Sequence, residues 1–119
     1  YVTLRTGTFC EGTSNQLDIV NVQNLNAPVL IKTYPLSNPH GLTKDGNTLF
    51  ICDGKDGLKV YDASVASDLK LKHHLEGMET YDAIAWNKKL LVVTRTGLRQ
   101  YDYSDLSQIR LVSTISINR

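Results

Sequence analysis

The chain has 119 residues, a length that accommodates one domain at most. Its hydrophobic fraction of 41% and its charged fraction of 21% are those of an ordinary soluble globular protein. The formal net charge of +1 gives no electrostatic basis for binding nucleic acid or an anionic membrane, and no apolar run approaches the roughly 20 residues of a membrane span.

The first 37 residues alternate short apolar runs with polar segments. Residues 1–4 predict one strand, Leu17 to Val22 predict a second, and Val29 to Tyr34 predict a third. The loop from Arg5 to Gln16 separates the first two strands and consists mainly of small and polar residues. Such a loop is either a tolerated surface insertion or a place where function has been added.

Residues 38–77 carry a complete unit of four predicted strands, at 40–43, 49–52, 58–61 and 69–75. The turn from Asp53 to Gly57 contains two aspartates with Lys55 between them. We predict that these aspartates accept hydrogen bonds from nearby amides, since the lysine opposes a calcium site. In the last strand, three leucines and His73 alternate with lysines, which predicts one buried and one solvent-facing side.

Residues 78–119 repeat this order of strands and turns. Leu17, Leu58 and Leu98 lie 41 and 40 residues apart, and the polar residues that close the same strands, Asn21, Asp62 and Asp102, have the same spacings. Tyrosine precedes both aspartates, which predicts a packed ring and a carboxylate that holds the next turn. Trp86 ends a first strand, where its ring is expected to pack between neighbouring units.

A period near 40 built from short strands is typical of a β-propeller, in which four antiparallel strands form one blade. We therefore predict an all-β fold of about three blades, at 1–37, 38–77 and 78–119, with three strands in the first. A closed propeller uses about four to eight blades, so the predicted ring is incomplete. The chain is then a fragment, an open array, or a protomer whose copies associate to complete the ring.

Polar residues at the starts of the first strands form the candidate ligand site. His40 and Tyr81 lie 41 residues apart at one repeat position, and Asp82 follows. In a propeller these strands line the central channel, so the three residues are expected at the channel mouth, where a ligand binds by default. Residues repeated in this way also serve contacts between blades, which is the alternative for His40.

The two cysteines lie near equivalent turns of neighbouring blades. Cys10 is in the long loop and Cys52 ends a strand. Because equivalent turns lie side by side, the thiols can form a disulfide if their Cα atoms approach within about 7 Å. The alternative is two separate thiols, with Cys52 buried as a small hydrophobe. No metal site is predicted, since two cysteines without nearby histidines do not complete a tetrahedral ligand set, and no cofactor is predicted.

Residues 47–64 read Asn-Thr-Leu-Phe-Ile-Cys-Asp-Gly-Lys-Asp-Gly-Leu-Lys-Val-Tyr-Asp-Ala-Ser, and residues 17–22 read Leu-Asp-Ile-Val-Asn-Val. These stretches resemble the LVIVD repeat family of bacterial and archaeal surface proteins, with Asn21 where aspartate is usual. The third copy departs from the family at Gln100, Thr94 and Arg95. The resemblance implies a β-propeller and an extracytoplasmic location, at the cell surface, in the outer membrane or in the periplasm. It carries over no catalytic residues.

The sequence favours a non-catalytic propeller module of a bacterial cell-surface protein, with a binding or scaffold role. The partners expected are a protein or carbohydrate ligand, further blades of the same or another chain, and other copies of itself, but no nucleic acid. The alternative is a fragment of a propeller enzyme, a hydrolase or lyase that acts at the channel mouth with His40 and Asp82. The non-catalytic reading is favoured because no acid–base pair recurs with mechanistic spacing and no nucleophile motif is present.

Overall fold

The computed structural model describes residues 1–4 and 15–117, which form three antiparallel sheets. The first sheet contains β1 (Val2–Leu4), β2 (Gln16–Asn21) and β3 (Val29–Pro35). The second contains β4 (Leu42–Asp45), β5 (Thr48–Cys52), β6 (Leu58–Asp62) and β7 (Lys70–Leu75). The third contains β8 (Thr80–Trp86), β9 (Lys89–Thr94), β10 (Gly97–Asp102) and β11 (Arg110–Ser116).

In each sheet, strands adjacent in sequence are neighbours in space. The predicted all-β class is confirmed, and the sheets do not close on themselves. The described part of the chain has no helix, and so no helix long and apolar enough to cross a membrane. β4 begins at Leu42 rather than at the predicted His40. The amide of His40 still donates to the Cys52 carbonyl, at 2.7 Å, but the amide of Gly41 donates to the Tyr81 carbonyl of the third sheet, at 2.8 Å, which interrupts the pairing with β5.

The spacings of 41 and 40 residues have a simple structural cause. Five residues separate the paired Cys52 and Leu58 in the second sheet, whereas four separate the paired Val93 and Leu98 in the third. One residue fewer therefore lies between these equivalent paired positions in the third sheet than in the second. The strands on either side of these two connections keep the same pairing.

The last strand of every sheet contains a β-bulge at one repeat position. The register with the preceding strand skips Ile31 in β3, Lys72 in β7 and Val112 in β11. A bulge adds one residue to one strand and reverses which side chains face each side beyond it. The prediction that Leu69, Leu71, His73 and Leu75 share one face is therefore wrong. Leu69 packs towards the first sheet and Leu75 towards the third.

The second sheet is buried on both faces, which explains its continuous apolar run at residues 49–52. Leu49 and Ile51 belong to the core shared with the first sheet, whereas Phe50 and Cys52 belong to the core shared with the third. All four are completely buried. We name the face at the repeat positions of Leu49 and Ile51 the rear face of a sheet, and the face at those of Phe50 and Cys52 its forward face.

A side-chain oxygen holds the turn before the last strand of each sheet. Oδ1 of Asn21, Asp62 and Asp102 accepts a hydrogen bond from the backbone amide two residues ahead, at 2.9, 2.9 and 2.8 Å. The role predicted for Asp62 and Asp102 is confirmed, and Asn21 acts in the same way. Hydrogen bonds from Ser64 and Ser104 hold the pKa values of Asp62 and Asp102 below the usual range for aspartate.

Candidate functional site

The edge strands of the three sheets meet around His40, and the predicted site residues come together there. The ring of His40 contacts the ring of Tyr81 edge to face, with centroids 5.4 Å apart and planes inclined by 72°. The hydroxyl of Thr3 in the first sheet donates to the His40 carbonyl at 2.8 Å. The cluster therefore joins one residue from each sheet.

Tyr81 lies in a β-bulge of β8, because the register with β9 passes from Thr80 directly to Asp82. Bulges are frequent next to binding sites, since they redirect a side chain without ending the strand. Asp82 is exposed and its Oδ1 accepts the amide of Ala83 at 2.8 Å. This carboxylate also lies against Gly41, where an added Cβ would fall 2.1 Å from Oδ1. His40, Tyr81 and Asp82 thus form one polar cluster, with His40 and Tyr81 half-buried.

A buried carboxylate anchors the connection between the first and second sheets. Asp53 is completely buried and accepts hydrogen bonds from the amides of Ser37, at 3.0 Å, and Asn38, at 2.7 Å. Lys59 Nζ lies 2.7 Å from Asp53 and 2.8 Å from Asp56. Burial opposes the charge of Lys59, but the hydrogen bonds to both carboxylates outweigh this effect and raise its pKa. The aspartates of this turn are therefore used for structure.

The second and third sheets share a polar contact that the sequence did not predict. The hydroxyl of Tyr103 donates to Asp45 Oδ2 at 2.7 Å, and Lys88 Nζ lies 3.5 Å from the same oxygen. Burial and the Asp45 carboxylate raise the pKa of Tyr103 above its usual range. Since Asp45 and Tyr103 are 58 residues apart, only the packing of the sheets brings them together.

The side chain of Cys52 is completely buried in the core between the second and third sheets, with no disulfide to any described residue. Burial raises its pKa to about 12. Cys10 lies outside the described residues, so the disulfide between Cys10 and Cys52 stays a prediction. Trp86, expected between neighbouring units, is instead 77% exposed on the third sheet, and that expectation is wrong within this chain.

We expect the thiol of Cys52 in a Cys10→Ser variant to be unreactive towards a disulfide reagent at pH 8, because only the thiolate attacks and burial disfavours it. The folded pKa of about 12 exceeds the ordinary 9.0, so this group stabilises the fold below about pH 9 and progressively less as the pH rises towards 12. Reagent titration before and after urea unfolding checks this. Full reaction in the folded state would contradict it.

A surface groove of about 510 Å³ lies between the outer parts of the second and third sheets. Its lining includes Asp62, Lys72, His73 and Leu106. His73 Nε2 is hydrogen-bonded to the Leu106 carbonyl, and the equivalent contact between the first two sheets runs from Lys32 Nζ to the Ser67 carbonyl, at 3.1 Å. These contacts connect β3 to the second sheet and β7 to the third.

Within residues 1–4 and 15–117, no three His, Cys, Asp or Glu side chains converge to hold a metal ion. No protein-family model matches the chain, and a search of curated proteins finds no significant match.

Proposed function

We propose that the chain is a non-catalytic β-propeller segment of about three blades, at residues 1–37, 38–77 and 78–119. Its role is to bind a ligand at the cluster of His40, Tyr81 and Asp82, or to act as a scaffold. The proposal depends on one observation: the same meander recurs at 40–41 residues with the same outer-strand bulge and the same capped turn.

Face-to-face stacking of successive sheets supports the blade interpretation. Propeller blades pack in chain order, each covering one face of the next, around an axis lined by the first strands. The second sheet is covered on its rear face by the first sheet and on its forward face by the third. The contacts of β4 and β5 with β8 bring the first strands of these two sheets together.

The chemistry of the cluster favours binding over catalysis. Asp82 Oδ1 is engaged by the Ala83 amide, and Asp53 on the neighbouring turn is saturated by backbone amides and Lys59. The half-buried rings of His40 and Tyr81 offer an apolar surface beside an exposed carboxylate. A sugar ring fits this combination, because aromatic rings pack against its apolar face and carboxylates accept hydrogen bonds from its hydroxyls.

We also propose an extracytoplasmic location in a bacterium, and this part rests on the resemblance of residues 47–64 to the LVIVD repeats. Fractionation of cells that express the full-length protein tests it, with a cytoplasmic and a periplasmic marker protein as references. Recovery of the protein only with the cytoplasmic marker would contradict the location without affecting the fold.

Binding to glycan and peptide arrays tests the site. We expect Tyr81→Ala and Asp82→Asn to weaken binding by at least about tenfold, equivalent to 1.4 kcal/mol, while circular dichroism shows an unchanged fold. Lys70→Ala, an exposed change on β7, serves as the control and is expected to bind as the parent chain does.

If the parent chain and both site variants bind equally well, the ligand does not bind at the cluster of His40, Tyr81 and Asp82. The enzyme alternative makes a different prediction on the same variants. A hydrolase or lyase would turn over a bound oligosaccharide, and His40→Ala would abolish turnover while the affinity for the intact oligosaccharide persists. That result would replace the binding module with a hydrolase or lyase that acts at His40 and Asp82.

A further inference from the structure

The forward face of the third sheet is apolar and exposed. Ile84 is 62% exposed, Trp86 77% and Leu91 39%. Together with Lys89 and Gln100 these side chains line a shallow depression of about 490 Å³. Contiguous exposed apolar side chains of this kind mark a surface for association.

The repeat shows what kind of surface covers this face. Trp86 and Leu91 stand 41 residues after Asp45 and Phe50, which lie on the forward face of the second sheet. There, Asp45 accepts the hydrogen bond of Tyr103 at 2.7 Å, and the ring of Phe50 packs on the ring of Tyr103 with centroids 5.0 Å apart. The forward face of the second sheet is thus covered by the rear face of the third.

The first sheet exposes the matching rear surface. Val22 occupies the repeat position of Ala63 and Tyr103, which are 6% and 2% exposed, yet Val22 itself is 54% exposed. Leu25, at the repeat position of Leu106, is 81% exposed. Both exposed surfaces are also apolar at the positions where the contact within the chain is polar. The hydrogen-bonded pair of Asp45 and Tyr103 corresponds to the apolar pair of Trp86 and Val22.

We propose that the forward face of the third sheet docks on the rear face of the first sheet of a second copy of this chain. Trp86 and Leu91 of one copy then cover Val22 of the other, as Asp45 and Phe50 contact Tyr103 within the chain. This contact is heterologous, so it produces a ring if the rotation closes and a filament if it does not. The inference rests on the blade stacking of the proposed function, but it does not depend on the ligand.

Sedimentation velocity and light scattering of the 119-residue chain over a range of concentrations test the proposal. We expect reversible association that Trp86→Lys and Val22→Lys each weaken by at least about tenfold, because each places a charge in an apolar contact. Both residues are exposed, so the fold is expected to persist, as circular dichroism can check. Val65→Lys is the matched control: Val65 is 54% exposed in the connection between β6 and β7 and belongs to neither surface.

A mixture of the two variants distinguishes a contact between the third and first sheets of two copies from a contact between two third sheets. Trp86→Lys keeps an intact first sheet and Val22→Lys keeps an intact third sheet, so one interface can form between them. We expect the mixture to form a 1:1 dimer that goes no further. If the parent chain is a monomer at every concentration, the proposal is overturned. Association that only Trp86→Lys weakens also overturns it, since that pattern indicates an interface between the third sheets of two copies. If the proposed ligand site is wrong, only the array experiment shows it, and the masses measured for the parent chain and its variants are unaffected.

Discussion

We expect Asp53→Ala to lower the free energy of unfolding by about 3 kcal/mol, the lower end of the range for breaking a buried ion pair. The carboxylate is completely buried and neutralises Lys59, whose side chain is only 13% exposed. Its removal also leaves the amides of Ser37 and Asn38 without their acceptor. The loss stays near the lower end because Lys59 keeps Asp56 at 2.8 Å.

Asp56→Ala is the matched control for this experiment. Its carboxylate contacts the same lysine, but its side chain is 39% exposed, so we expect a loss of about 0–1 kcal/mol. Urea unfolding followed by circular dichroism at one protein concentration measures both variants. Fluorescence is less suitable, because the single tryptophan, Trp86, is largely exposed. Equal losses for the two variants would show that the burial of Asp53 does not set its contribution.

The sheets and their order could be predicted from the sequence because the signals are local. A strand pair needs only an apolar run, a turn and a second apolar run, and all three recur at a fixed spacing. The capped turns could be predicted for the same reason, since Asp62 bonds an amide only two residues away. Periodicity and turn chemistry therefore defined the secondary structure closely.

Features that depend on strand register or on contacts between sheets could not be predicted. The bulge at Lys72 reverses the faces of β7 and has no composition signal, so Leu69 and Leu75 were assigned to one side. The partners of Asp53 lie 15 and 16 residues upstream in a connection that has no regular structure. Likewise, burial of Trp86 requires a further sheet that the described residues do not form. In each case the missing information is which residue or surface lies opposite the residue in the folded chain.

The candidate site was predicted in part, and its geometry shows why. His40 and Tyr81 were identified because they share a repeat position, and the structure brings their rings into contact. The bulge that accommodates Tyr81 was not predicted, because it depends on how β8 pairs with β9. The repeat therefore identified the residues, whereas their orientation follows from the register.

We expect Gly57→Ala to destabilise the protein by about 2–5 kcal/mol, from two separate costs. Gly57 has a φ of +85°, where a side chain costs roughly 1–2 kcal/mol. An added Cβ would also fall 2.1 Å from the Leu75 carbonyl oxygen, so β6 and the end of β7 must separate, at about 1–3 kcal/mol. Gly97 stands at the same repeat position, and an added Cβ there would fall 2.0 Å from the Ile115 carbonyl oxygen, so Gly97→Ala is expected to show a similar loss.

Gly46→Ala separates the two costs, because Gly46 has a φ of +58° but no atom within 4 Å of an added Cβ. We expect only the backbone cost there, about 1–2 kcal/mol. Thermal and urea unfolding of the three variants at one concentration provide the comparison. If Gly46→Ala and Gly57→Ala lose equal stability, the close approach between β6 and β7 contributes nothing. A larger loss of stability for Gly57→Ala and Gly97→Ala than for Gly46→Ala would support the close approach. In the second and third sheets, the last two strands would then lie too close together to accommodate a side chain at this position.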